Sequence, residues 1–459
     1  MAAEHTEWRN VYLIGFLSIL DKLQFGFSFW SLWPYLRQLD ATVSASMVGI
    51  SFAVMGVGEA ISSPLLGWYS DRTKGVLKGL IFSFVISLVG NSMYLFAKLM
   101  PFPLLRLAVA VASRFLVGAG TANRAICFSF ASCISTTADR KKVISTVNGG
   151  MAIGVAMGPG MQVFINYLIT RNYDFFGLEI DVNNVNAIMG ILTNVLCMFL
   201  VIAALDEKDV KPSKKPAAKK ENVDAEKGGD EGISTLDKLA ITVCVVSRVQ
   251  RLFINANFKS IGLLYSEIMF DYSEMDALKV NSNMSLLTSL LVVAVFFLCA
   301  FTNITKRISD RLLTIAALAL TLAYHIVTMP WPFMSGTLPH CAKLNPETDS
   351  QYLSWCSSIA PISEYLYFGG YIFLNGIMLP LYGNSTKIIL TKLLGPGKQG
   401  RSQGLTQSAC SISKVGGPII LSFLFANYGP QPNWIIQMIF VAVLLILWVF
   451  YYKRMNPKL

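Results

Sequence analysis

Histidine, clustered cysteine and charge are all scarce in this chain, and each scarcity removes a class of function. The three histidines, His5, His325 and His340, are scattered and make no metal-binding cluster. Of eight cysteines, Cys127, Cys133, Cys197, Cys244, Cys299 and Cys410 fall inside apolar runs, where a small polarizable side chain packs, and none has metal-ligand spacing. No nucleophile–base constellation and no phosphate-binding loop are present, so the chain is expected to be no enzyme and to need no cofactor or metal. Charged residues make up only 14% of the chain, against about 25% in soluble proteins. That low charge excludes a large soluble helical protein.

What the chain has in quantity is apolar surface, 54% of its residues, gathered into long runs. Crossing ~30 Å of hydrocarbon takes roughly 20 mostly apolar residues. Such runs fall at 10–36, 46–66, 78–98, 104–133, 146–169, 185–204, 239–264, 283–302, 312–330, 360–383, 403–426 and 434–451. Segments such as Leu290–Ala300 are apolar all round, as a lipid-facing helix is and an amphipathic soluble helix is not. The first run follows Glu4 and Glu7, is too long for a signal-peptide core and holds Asp21 and Lys22, so it reads as a retained span. These runs predict an all-α, polytopic membrane protein with twelve transmembrane helices.

Basic residues predict the orientation. With the termini on one side, 25 Lys and Arg fall on that side, six on the other and seven within spans. The excess predicts cytosolic termini and explains the net charge of +11 as topology and attraction to anionic lipid, without nucleic acid. The stretch 205–235 is rich in Lys, Asp, Glu, Ala and Pro and lacks aromatics, as a solvated linker does. The expected organisation is a tail at 1–8, a six-helix bundle at 9–204, this linker, a second bundle at 236–452 and a tail at 453–459.

The two bundles look like copies. Ser70-Asp71-Arg72 follows the second run and Ser309-Asp310-Arg311 the eighth; Gly158-Pro159 lies in the fifth and Gly417-Pro418 in the eleventh. Repeats of this kind build secondary transporters with a solute site between the halves. Gly67-Trp-Tyr-Ser-Asp71-Arg72-Thr-Lys74, Arg114-Phe-Leu-Val-Gly118-Ala-Gly120 and Gly154-Val-Ala-Met-Gly158-Pro159 resemble three signatures of the major facilitator superfamily. The resemblance implies that Gly67, Asp71, Arg72, Asp310 and Arg311 form a cytosolic gate. In it the Asp would face a helix N-terminus and the basic residues would pair across the mouth. Gly118, Gly120, Gly154, Gly158, Pro159, Gly417 and Pro418 would pack helices closely.

Phe29-Trp-Ser-Leu-Trp-Pro-Tyr-Leu36, Leu394-Gly-Pro-Gly-Lys-Gln-Gly400 and Ala426-Asn-Tyr-Gly-Pro430 are similar to an endolysosomal branch of that superfamily, associated with ceroid lipofuscinosis. That branch implies anion conductance or solute export and a lysosomal or endosomal membrane, with the plasma membrane as the alternative. Two features depart from it: the N-terminal tail lacks an acidic dileucine signal, and Lys414 stands where Arg is expected.

Ionisable residues within spans carry the chemistry, since a charge at the bilayer centre costs at least ~2.5 kcal/mol. The basic ones are Lys22, Arg114, Arg124, Arg248, Arg251, Lys259 and Lys414, and the acidic ones Asp21 and Glu59. Asp21, Lys22, Arg114, Arg248, Arg251 and Lys414 are the expected solute or ion pathway, with Arg248 and Arg251 on one helix face. Asp21 and Lys22 read either as pathway residues or as a mutually neutralised pair. His325 reads as a packing residue, and Lys259 as an interfacial anchor. Excess positive charge predicts a small-molecule or inorganic anion as the solute. The repeat and the resemblance imply a secondary transporter that works by alternating access, with proton coupling as an option and a monomer as the expected state. An anion channel is the second reading, and a non-transporting receptor or scaffold the third. Cys341 and Cys356, in a polar loop on the non-cytosolic side, are expected to form a disulfide worth ~3 kcal/mol on the chain-entropy model.

Overall fold

The computed structural model describes residues 5–40, 43, 46–73, 76–136, 138–168, 173–175, 178–181, 184–205, 235–302, 308–334, 338, 355, 359–394 and 399–455. The helices are α1 (Trp8–Leu39), α2 (Ser46–Thr73), α3 (Leu77–Phe96), α4 (Pro103–Gly120) running into α5 (Asn123–Cys133), α6 (Arg140–Leu168) and α7 (Val185–Ala204). From residue 235 onward come α8 (Thr235–Phe270), α9 (Glu274–Phe301), α10 (Asp310–Thr328), α11 (Glu364–Phe373), α12 (Leu379–Leu393), α13 (Gly400–Tyr428) and α14 (Pro430–Phe450). A π-helical turn at Leu374–Met378 joins α11 to α12. With α4 and α5, and α11 and α12, each taken as one rod, these are twelve rods, six on each side of the charged stretch. Among the described residues the only strands are a short antiparallel ribbon, β1 (Tyr173–Phe175) with β2 (Leu178–Ile180).

Nine of the described helical segments are long and apolar enough to cross a membrane. In the most apolar stretches of α7 and α9 only 28% and 22% of the residues are buried in the protein. Their remaining apolar side chains, Phe199 and Ile202 of α7 among them, face outward, as do Ile439, Ile446 and Phe450 of α14. Water would not tolerate such a surface, and lipid solvates it. Several buried hydroxyls are satisfied inside their own helix: Ser63 donates to the Glu59 carbonyl, Thr321 to Ala317 and Thr328 to Tyr324. Hydroxyls bonded in this way line the interior at little cost.

Each half has its own core. In the first, Ile14, Leu80, Ile126, Phe130 and Val147 pack at the end carrying the termini, and Tyr35, Tyr94 and Leu107 pack farther along. In the second, Tyr265 stacks on Trp434 at 5.1 Å and on Tyr367 at 4.6 Å. One side chain crosses over: Ile388 of α12 is buried in the first half's cluster. This reflects a difference from the expected tenth span, which ends at 383. The helix continues to Leu393, because Ile388, Ile389 and Leu390 keep it apolar, and it carries Lys387 and Asn384 into the interior instead of leaving them in a loop.

Candidate functional site

The two halves meet most tightly at the end that carries the termini. There α2 crosses α13 with glycine against glycine: a Cβ on Gly67 would strike the Gly400 carbonyl, and one on Gly404 the Ser63 carbonyl. This close approach brings the Asp71 carboxylate onto the start of α13, where it accepts from the backbone N–H of Gly400 at 2.9 Å and of Arg401 at 2.7 Å. A carboxylate at a helix N-terminus satisfies orphan donors and meets the positive end of the dipole. The repeat has its counterpart on the other side: Asp310 pairs with Lys141 at the start of α6 at 2.9 Å and with Lys392 at 3.7 Å. The two remaining gate residues do something other than the motif suggested. Arg72 lies over Trp68 of its own helix, at 5.2 Å, and among the described residues it makes no pair across the mouth. Arg311 stacks on Tyr452 at 4.4 Å and donates to its carbonyl, tying the chain's last helix to α10.

One layer deeper is a polar seam that sequence reasoning missed. Asn384 donates to Ser145 at 2.8 Å and accepts from Asn148 at 3.0 Å; Asn148 in turn accepts from Lys387 at 3.2 Å. The Lys387 ammonium also lies on the Phe128 ring, 2.9 Å from its centroid. The apolar Ile388-Ile389-Leu390 after it was the signal that the span continues.

Deeper still, Glu59 of α2 is buried among cations from both halves. It meets Lys414 of α13 at 3.0 Å and Arg124 of α5 at 3.3 Å, and accepts from Gln407 at 2.8 Å. Lys414, expected on the pathway, is thus brought to a carboxylate. Asp21 and Lys22 are adjacent in sequence, yet both turn inward and pair at 2.5 Å, and Asn123 donates to Asp21 at 3.2 Å.

Arg114 occupies a separate place. Its guanidinium lies 3.7 Å from the Tyr94 ring centroid, and with Asp21, Gln24, Phe25, Phe52 and Thr121 it lines a small cavity in the first half. Arg248 and Arg251 lie ~20 Å or more from the start of α8 at 1.5 Å per residue. Arg248 is buried, and Arg251 packs its guanidinium against Gly383 of α12. His325 has both ring nitrogens engaged, by the Thr321 carbonyl and Gln437, in keeping with a packing role. The side chain of Lys259 and both Cys341 and Cys356 lie outside the described residues.

The motif glycines sit at helix crossings. Gly150, Gly154 and Gly158 of α6 press on Gly15, Ile19 and Gly26 of α1. Gly118 meets the Met55 backbone, Gly120 meets Ser83 and Ser87, and Gly417 meets Ala256. α6 continues through Pro159, and α13 through Pro418.

Two six-rod halves, repeat-related carboxylate clasps at one end and buried charges between the halves define a polytopic transporter of the two-bundle type. The family model of the Major Facilitator Superfamily matches residues 16–341, more than half of the sequence. The chain belongs to that superfamily. It is 22% identical, over 98% of its length and 92% of the relative's, to major facilitator superfamily domain-containing protein 8 of Xenopus laevis. Its fold matches the human organic anion transporter MFSD10 (TETRAN) with a TM-score of 0.65 at 12% identity, covering 96% of this chain and 99% of that one. It also matches a bacterial homologue of the iron transporter ferroportin in an outward-facing state, with a TM-score of 0.70 at 11% identity, covering 97% and 99%.

Proposed function

We propose that this membrane transporter moves a small anionic solute by alternating access between its halves, in exchange for protons. The observation that carries the reading is the surplus of buried positive charge between the halves. Among the described residues, Lys22, Arg124, Arg248, Arg251, Lys387 and Lys414 face only Asp21 and Glu59, an excess of four positive charges. Buried charge of one sign is costly unless an opposite charge joins it. Another protein of the same fold, MFSD10, is an organic anion transporter, so the scaffold accommodates such cargo.

In this reading residues 9–204 and 236–452 are the two moving bodies, and 205–235 tethers them in the cytosol. The termini face the cytosol, because 24 Lys and Arg still lie on their side once Lys387 is counted with the interior. Asp71 and Asp310 then clasp the cytosolic mouth, and Arg114 and the buried lysines and arginines meet the solute from the other side. The motifs at 29–36, 394–400 and 426–430 favour an endolysosomal membrane.

The test is flux in proteoliposomes containing the purified chain, with and without a pH gradient. Uptake of an organic monoanion or chloride, accelerated by the gradient, is the expected result. Transport of cations alone would overturn the anionic reading, and gradient-independent anion flux would remove the proton exchange. A receptor or scaffold would show no flux and would tolerate neutralisation of Arg114 or Lys414.

A further inference from the structure

We propose that Arg124, Arg248, Arg251 and Lys387 form a binding site for one doubly charged oxyanion, separate from the cavity lined by Arg114. This deepens the anion-transport reading and rests on it. Arg124 comes from the first half and the other three from the second, and specific packing sets α8 against α12. Arg248 and Arg251 are three residues apart on one face of α8. The Arg251 guanidinium lies against Gly383, where any Cβ would stand 2.7 Å from its central carbon. Lys387 is one turn beyond Gly383 on α12, hence on the same face. The Tyr382 hydroxyl lies between the Ser247 carbonyl, at 3.0 Å, and the Gln250 side chain, at 3.1 Å, holding α12 against the part of α8 that bears both arginines. Lys387 feels the charges of Arg248, Arg251 and Arg124, and Arg251 those of Arg248 and Arg124, so the four share one field.

Two features point to a ligand and against simple bracing. First, donors are left over. Arg248 is 7% exposed, and its Nη1 has no hydrogen-bond partner; neither has Nε of Arg251 or of Arg124. Unpaired buried guanidinium donors cost more than neutral ones, and native proteins seldom keep them without a use. Second, the charge is uncompensated. Glu59 neutralises one cation and is already shared by Arg124 and Lys414, while among the described residues Lys387 has only an amide oxygen and the Phe128 ring.

The donor type decides the class of anion. Guanidinium forks match the paired oxygens of a carboxylate or phosphate, and three of the four cations here are guanidinium groups. A spherical halide would use one donor from each and leave the rest unpaired. A monoanion would also offset only one of the four surplus charges.

The experiment uses the purified full chain in nanodiscs. Thermal stability is titrated at constant ionic strength and alkaline pH with inorganic phosphate and succinate, and in parallel with chloride and acetate. We expect half-saturation by a dianion at a concentration about tenfold lower than by either monoanion. The preference should disappear in Lys387→Gln and Arg251→Gln and survive in Lys387→Arg. Protection by phosphate alone or by succinate alone identifies which oxyanion the site takes, and either supports the site. Equal protection by mono- and dianions, or a preference unchanged in Lys387→Gln, overturns the proposal. Anion flux that persists in proteoliposomes under those outcomes keeps the transport reading intact, whereas absence of any anion binding or flux ends both.

Discussion

Glu59 bears most of the electrostatic work at the level of single residues. Its carboxylate receives Lys414, Arg124 and Gln407 and is the acidic member of the network that joins the halves. Removing one partner of a buried pair leaves the other charged and desolvated, at about 3–5 kcal/mol. Glu59→Gln is therefore expected to lower the melting temperature of the purified protein sharply. Adding Lys414→Met should restore part of the loss by removing a stranded cation. A Glu59→Gln protein as stable as the parent would show that water already reaches the cluster. The individual charges were legible in the sequence because a Lys or Arg inside an apolar run is conspicuous. Their partners were not, since Glu59 and Lys414 are 355 positions apart.

At the scale of the helix, close packing depends on a row of small residues. Gly150, Gly154 and Gly158 let α6 approach α1 until Gly158 rests on the Cα of Gly26. Without a hydrophobic drive between helices in lipid, such backbone contact supplies much of the cohesion. Gly158→Val has no room, and overpacking typically costs about 1–3 kcal/mol. We expect a lower melting temperature and poor recovery of folded protein on size exclusion, with Gly160→Val, which meets open space, close to the parent. Equal behaviour of the two variants would show that α1 and α6 part readily. The spacing of these glycines was readable from the sequence, but which helix they face was not. The length of α12 was also misjudged: Lys387 looks like a loop residue until the following isoleucines are seen to continue the helix.

For the molecule as a whole, the hydrogen bonds and ion pairs between halves run from Glu59 to the end carrying the termini, where Asp71 and Asp310 act as matched clasps. Each variant, Asp71→Asn or Asp310→Asn, loses a charge-assisted contact. A loss of about 1.4 kcal/mol would shift the balance between closed and open mouths tenfold. In a carrier either variant should slow flux without affecting membrane insertion, and the double variant should slow it further. In a channel the same changes should increase conductance, which separates the two mechanisms in one liposome assay. Unchanged flux in the double variant would leave these carboxylates a folding role only.

The sequence by itself determined the class of protein: the scarcity of charge, twelve apolar runs and the repeated Ser-Asp-Arg and Gly-Pro motifs are local properties that survive in one dimension. It also marked Arg114, Arg248, Arg251 and Lys414, because burying charge is expensive and apolar runs rarely contain it. Only the tertiary structure decided how those charges are used. Asp21 pairs with its neighbour Lys22, Lys414 reaches across to Glu59, Arg72 turns back onto Trp68, and Lys387 joins the interior. The physical reason is that a charge in a low-dielectric interior takes whichever partner the helix crossings bring within a few ångströms. Those crossings depend on glycines and crossing angles from segments hundreds of residues apart.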